Sequence, residues 1–159
     1  MQKQFYCNDE DDCMPTAINI YFQKKIFNST KEFNERQYRI VRDIANISSF
    51  ELSIHMCDRI RVDNHVYKLE YLYSAHRKDY WPAKIQTRSR RALIAYGINE
   101  FEGHMECIRF EEDEMILERT GKIARARTQA DISLEDFRLL SKNPEMGYWF
   151  KLMNYKRIN

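Results

Sequence analysis

Several groups in this 159-residue chain have the types and spacing that chemistry uses. His104-Met105-Glu106 carries the H-x-E spacing that zinc deaminases use to set an imidazole beside a carboxylate. The Pro-Cys-x-x-Cys that would complete such a site does not follow. The four cysteines, Cys7, Cys13, Cys57 and Cys107, show no short paired spacing. Cys7, Cys13, His55 and Cys57 have the right chemistry for zinc, but their spacing matches no common finger. They read as free thiols in a reducing interior. There is no G-x-S-x-G, phosphate loop or G-x-G-x-x-G, and the four glycines leave little for a backbone phosphate cradle. No Cys/His or Ser/His pair stands out along the chain. The expectation is a noncatalytic protein without a cofactor. The aromatic residues carry more. Tyr73, Tyr80, Trp81, Tyr96 and Phe101 fall at or next to the ends of strand-like runs. Rings at the ends of neighbouring strands can meet at one rim, and beside carboxylates such a cluster attracts a soft cation.

Charged residues make up 31% of the chain, with a net charge of +2. That balance argues against binding by bulk electrostatics, but the charge is blocked. A basic run from Arg59 to Arg91 precedes an acidic run from Glu100 to Glu114, and Arg119, Lys122, Arg125 and Arg127 follow. The fold can set a basic flank beside an acidic rim, or leave a solvated surface that neutralises itself. No apolar run approaches the roughly 20 residues that cross a bilayer, and no signal-like pattern opens the chain. The expectation is a soluble intracellular protein.

The elements that must position these groups divide the chain into segments. Residues 1–28 are an acidic start and an apolar arm; Cys7 to Asp12 look loose. Ala17 to Phe27, rich in β-branched and aromatic residues, suggests a strand or a docked arm. Residues 29–58 are helical. Ser29 with Glu32 and Ser48 with Glu51 make capping boxes, and Phe33, Gln37, Ile40, Val41, Ile44 and Ile47 recur at helical spacing. Residues 59–118 hold short strands: Val66 to Tyr73, Trp81 to Thr87, Ala92 to Tyr96, Met105 to Phe110, and a turn or strand at Glu114 to Leu117. Pro82 puts its strand start at an edge or bulge, and Gly97 ends the third strand. Strands this short and close suggest a small barrel. Residues 119–132 form a basic linker. Residues 133–159 are expected as helices packed on the barrel, opened by Ser133 with Asp136, with Leu134, Phe137 and Leu140 inward and a stop at Asn143-Pro144. The apolar tail from Met146 to Tyr155 is expected to be buried.

LEYLYSAHRKDYWPAKI, RALIAYG and NEFEGHMECIRFEEDEMIL carry a family resemblance. The stretch from about Val66 to Leu117 resembles a Tudor domain, one of the small barrels related to the chromo-barrel, PWWP and MBT modules. The resemblance implies an α+β protein with a small SH3-like barrel flanked by N-terminal and C-terminal helices. It implies a noncatalytic adaptor for methylated lysine or arginine in a histone or Arg-rich tail, nuclear or in a cytoplasmic ribonucleoprotein granule. By that resemblance Tyr73, Trp81, Tyr96 and Phe101 would wall a cage, with Asn99 and the acidic rim Glu100 and Glu102 near the bound group. The first wall is usually Trp; Tyr73 has a weaker π-face. The loop from Ile98 to Gly103 does not align cleanly, which leaves open whether Phe101 or Asn99 contributes. A methylated cation keeps its charge but loses donors, so aromatic faces hold it by about 0.5–1 kcal/mol exposed and about 2 desolvated.

Two alternatives stand beside this reading. The same barrel would bind nucleic acid if Arg77, Lys78, Lys84, Arg88, Arg90 and Arg91 met phosphates while Tyr80 and Trp81 stacked on bases. The acidic run opposes a backbone passing the rim. The other alternative is a structural subunit whose pocket is covered by Tyr148 to Met153.

Overall fold

The computed structural model describes residues 3–43, 49–75, 84–86, 90–97, 103–111, 114–119, 122–125, 131–133 and 149–159. After a short 3-10 turn at Lys3–Phe5 come three helices, α1 (Cys13–Phe22), α2 (Thr30–Val41) and α3 (Ser49–Met56). Nine strands follow: β1 (Arg59–Val62), β2 (His65–Ala75), β3 (Lys84–Gln86), β4 (Arg91–Gly97), β5 (His104–Glu111), β6 (Glu114–Leu117), β7 (Lys122–Arg125), β8 (Asp131–Ser133) and β9 (Trp149–Arg157). Seven of them form one antiparallel sheet in the order β1-β2-β9-β4-β5-β6-β7; β3 and β8 pair separately. The protein is therefore mixed α+β. Its sheet is open, with β1 and β7 at its ends, rather than closed into a barrel among the described residues.

The largest departure from the expected architecture lies at the C-terminal end. Residues 149–157 are not a helix packed on the sheet but β9, a strand inserted between β2 and β4. Its sequence, WFKLMNYKR, explains this. Leu152 and Met153 are each fully buried although adjacent. Adjacent strand residues point to opposite faces, so a strand with both faces covered reads as an apolar run and loses its alternation. The expected helix from Ser133 loses its cap to β8, and Leu134, Phe137, Leu140, Asn143 and Pro144 lie outside the described residues. The expected basic linker contains β7, and its first residue, Arg119, is held in an ion pair.

The apolar arm is α1 rather than a strand. Pro15 sits in the first turn, where its missing N–H and fixed φ fit a helix. Met14, Pro15, Thr16, Ala17, Ile18, Asn19 and Ile20 are all buried, so this helix is wrapped on every side and its β-branched residues are chosen for packing. It ends in a Schellman arrangement: Gln23 is left-handed (φ 53°), its N–H bonds the Ile20 carbonyl, and the Lys24 N–H bonds that of Asn19. On one face of the sheet Leu69, Leu93, Ala95, Met105, Cys107, Met153 and Tyr155 join α1, Phe27, Phe33 and Ile54 in a single core. Ala92, Ile94, Ile108, Phe110, Leu117 and Leu152, one residue out of phase, are buried as well.

Local signals hold better in α2. Ser29 Oγ accepts from the Glu32 N–H at 3.0 Å, as a capping box requires. Glu32 itself reaches one residue further back, to the Asn28 N–H at 3.3 Å, and pairs with Arg36. Phe33, Gln37 and Val41 face inward, whereas Ile44, Ile47 and Ser48 lie outside the described residues. Nor are Cys7 to Asp12 loose. Cys7 and Asp12 are buried, and Asp9 accepts from the N–H and hydroxyl of Thr30 at the start of α2.

Asn19 fixes this N-terminal layer. Fully buried on α1, its amide nitrogen donates to the carbonyls of Phe5 (2.9 Å) and Phe27 (2.8 Å). Its oxygen accepts from the N–H groups of Ile26 (2.9 Å) and Phe27 (3.0 Å). Every donor and acceptor of the amide is used. Asn19→Ala should lower the unfolding free energy by about 3 kcal/mol, because several buried backbone groups lose partners together. Urea denaturation of the full chain measures this; a loss within the error of wild type would contradict the assignment.

Candidate functional site

The start of α1 and the start of β5 meet in a polar cluster. Cys13 is the first residue of α1 and is partly exposed. His104 opens β5, and Glu106 follows two residues on, so both side chains leave the strand on one face. His104 Nε2 lies 3.2 Å from Glu106 Oε1. The Cys13 side chain, at the start of the helix packed against β5, acts together with Glu106 to raise the His104 pKa.

Burial disfavours a charged His104, but the bonds to Cys13 and Glu106 outweigh it and raise its pKa to about 9. The ring is therefore an imidazolium at neutral pH. Glu106 is 11% exposed at its side chain and His104 39%, so the pair stands at the edge of solvent.

A second polar group supports the same helix end. Asp12, 8% exposed, receives Nη1 and Nη2 of Arg119 at 2.9 and 3.0 Å, a bidentate pair. Burial alone would raise the Asp12 pKa, but Arg119 and the Thr16 hydroxyl hold it below the ordinary carboxylate range. Arg119 lies over the Tyr6 ring at 4.7 Å, and the Tyr6 hydroxyl donates to its carbonyl. One residue earlier, Glu118 Oε1 takes Nε of Arg91 (2.8 Å) and of Arg109 (3.0 Å). The chain leaving β6 is thus tied to the sheet through Glu118 and to α1 through Arg119.

Of the residues expected to form a cage, Tyr73 lies on β2 and Tyr96 on β4, with β9 between these strands. The ladder of β2 also shifts register between Tyr71 and Tyr73. Up to that shift Tyr67, Leu69 and Tyr71 follow the expected alternation along the strand. Tyr80, Trp81, Pro82, Asn99, Glu100, Phe101 and Glu102 lie outside the described residues. So do Arg77, Lys78 and Arg88 of the basic set; Lys84 is on β3 and Arg90 is exposed. Arg91 is engaged with Glu118, which competes with any phosphate contact. Of the candidate zinc ligands, Cys7 bonds the Phe27 carbonyl, and Cys57 bonds that of Ser53 and packs on Met14 sulfur. Among the described residues no group of three or more His, Cys, Asp and Glu is placed to hold a metal.

The sequence contained two of the three residues Cys13, His104 and Glu106 as the H-x-E motif. Its partner thiol stands far away in sequence, next to a proline-bearing helix start, and only packing joins them. No family model, curated protein or solved structure matches this chain. No helix among the described residues is long and apolar enough to cross a membrane.

Folding raises the His104 pKa, so its stabilising contribution is complete below the ordinary value of 6.5 and is lost as pH rises through about 9. Unfolding midpoints should fall across that window in the wild type and stay flatter in His104→Gln. In an NMR titration the His104 ring should have its midpoint near 9, moving down in Glu106→Gln. An ordinary histidine midpoint in the wild type would contradict the linkage.

Proposed function

We propose that this protein is a thiol-dependent acyl-transfer enzyme, with Cys13 as nucleophile, His104 as proton carrier and Glu106 orienting the ring. The observation that carries the reading is the contact of His104 Nε2 with Glu106 Oε1 at 3.2 Å on β5, the strand against which α1, with Cys13 at its start, is packed. A nucleophile, a base within reach and a third group that orients the base are what covalent acyl transfer needs. The place of Cys13 at a helix N-terminus supports the same role, because the helix dipole there favours a negative sulfur.

The chemistry follows from these positions. Cys13 Sγ attacks the acyl carbon of an ester, thioester or amide, and the carbonyl electron pair moves onto oxygen. Collapse of that adduct breaks the bond to the leaving group, which takes the proton from His104. A water molecule then attacks the resulting thioester and gives a proton to His104. The C–S bond breaks with its electron pair on sulfur, the carboxylic acid departs, and His104 holds its proton as at the start. Glu106 holds the ring in one orientation and accepts its N–H throughout. The noncatalytic expectation drawn from the chain alone is kept as the second reading below.

Incubation with p-nitrophenyl acetate should acetylate Cys13, seen as an acyl-enzyme by mass spectrometry. Cys13→Ala should abolish it, and Glu106→Gln should lower kcat by about tenfold or more with KM little changed. Turnover that survives Cys13→Ala would remove the proposal.

A second reading, noncatalytic recognition of a methylated lysine or arginine, draws support from one feature of the register. Tyr73 pairs with Leu152 and Tyr96 with Phe150, two residues apart on β9. Calorimetry should then show methylated peptides binding more tightly than unmethylated ones, and Tyr96→Ala should erase the difference. Equal affinity for both peptides would end it.

A further inference from the structure

We propose that Lys151 is a nucleophilic amine that captures a small aldehyde or ketone as an imine, with the Tyr71 ring facing the cation and the Ser74 hydroxyl carrying the proton. The site is separate from the α1 and β5 residues assigned to acyl transfer and does not depend on that reading.

Lys151 is out of character for its strand. It lies on β9, an interior strand, in phase with Met153 and Tyr155, whose side chains belong to the core on the face that α1 covers. A charged residue on that face needs a reason. Its neighbours across both ladders are small, Ser74 on β2 and Ala95 on β4, and neither fills the space beside a lysine. The amine turns toward β2. There Nζ stands 4.9 Å from the centre of the Tyr71 ring and 3.5 Å from Ser74 Oγ. Both partners are neutral. Tyr71, Leu72 and Ser74 are exposed and Lys151 is half-buried, so a small molecule can reach the amine from solvent.

Each part of the cluster has a use in imine formation. An amine attacks a carbonyl only as its free base. Burial pushes the Lys151 pKa below the ordinary 10.5, against the opposing charge of Glu51 on α3. Glu51 and Tyr71 are the titratable groups that face it. The nitrogen lone pair forms the C–N bond, and the carbonyl π pair moves onto oxygen. The Ser74 hydroxyl takes the proton that nitrogen loses and gives its own to that oxygen. A proton from solvent then turns the new hydroxyl into water. The water departs with the C–O electron pair while the nitrogen lone pair closes the C=N bond. The iminium keeps the positive charge, and the Tyr71 face attracts it as it attracts the ammonium.

The test incubates the full chain with benzaldehyde at neutral pH, quenches with borohydride at intervals, and locates the resulting benzylamine by peptide mass spectrometry. Lys151 should be labelled severalfold faster than the exposed Lys3, Lys31 and Lys156, and Lys151→Arg should lose that label alone. A second reagent separates imine chemistry from simple basicity, because acetic anhydride acylates a free amine with no dehydration step. Ser74→Ala should therefore slow benzaldehyde labelling of Lys151 severalfold and leave its acetylation unchanged. Tyr71→Leu should lower the imine that accumulates. Labelling of Lys151 no faster than that of the exposed lysines would overturn the proposal, as would a Ser74→Ala effect that is absent or equal for both reagents. The wild-type comparison needs no variant, so a variant that fails to fold does not protect the idea. Cys13→Ala should leave the Lys151 label unchanged, and the two readings therefore stand or fall separately.

Discussion

The contact between Asp12 and Arg119 joins two parts of the chain that would otherwise have no reason to meet. Asp12 begins the central helix, and Arg119 follows the sixth strand. Breaking one partner of a buried, bidentate pair costs on the order of 3–5 kcal/mol, since the remaining charge stays desolvated. That is a large fraction of a domain's net stability. The start of the helix, with Cys13, is therefore fixed where α1 packs against β5. Where Asp12 is held, Cys13 is held.

The apolar core works on the same helix from the other direction. Burial of Met14, Ala17, Ile18 and Ile20 drives α1 onto the sheet but does not specify its direction or register, because hydrophobic attraction is non-directional. The polar contacts supply what it lacks. Asn19 ties the body of the helix to the segments on either side of it, through the carbonyls of Phe5 and Phe27. Asp12 ties its start to the far side of the sheet. A fully satisfied buried polar group of this kind selects one arrangement among several that would bury similar apolar area.

The sheet is assembled from segments distant in sequence. β9, last in sequence, lies third in the sheet, between β2 and β4. Both of those ladders depend on it, with Leu69 opposite Tyr155 and Leu93 opposite Met153. Such non-local pairing requires loop closure before contacts form, which slows folding relative to a chain of hairpins.

The sequence by itself determined what depends on neighbours a few residues away. The Ser29 cap, the inward face of α2 at Phe33, Gln37 and Val41, the strand character of β2, β4 and β5, and the H-x-E spacing that puts His104 and Glu106 on one side of a strand were all legible. Tertiary structure decided the rest. The helix at Ala17 was hidden because β-branched residues suit a strand when half-exposed but pack equally well in a helix wrapped on all sides. The strand at Trp149–Arg157 was hidden because burial on both faces erased its alternation. The packing of α1 against β5 could not be read at all, since nothing in the spacing of distant residues encodes a contact that only packing creates.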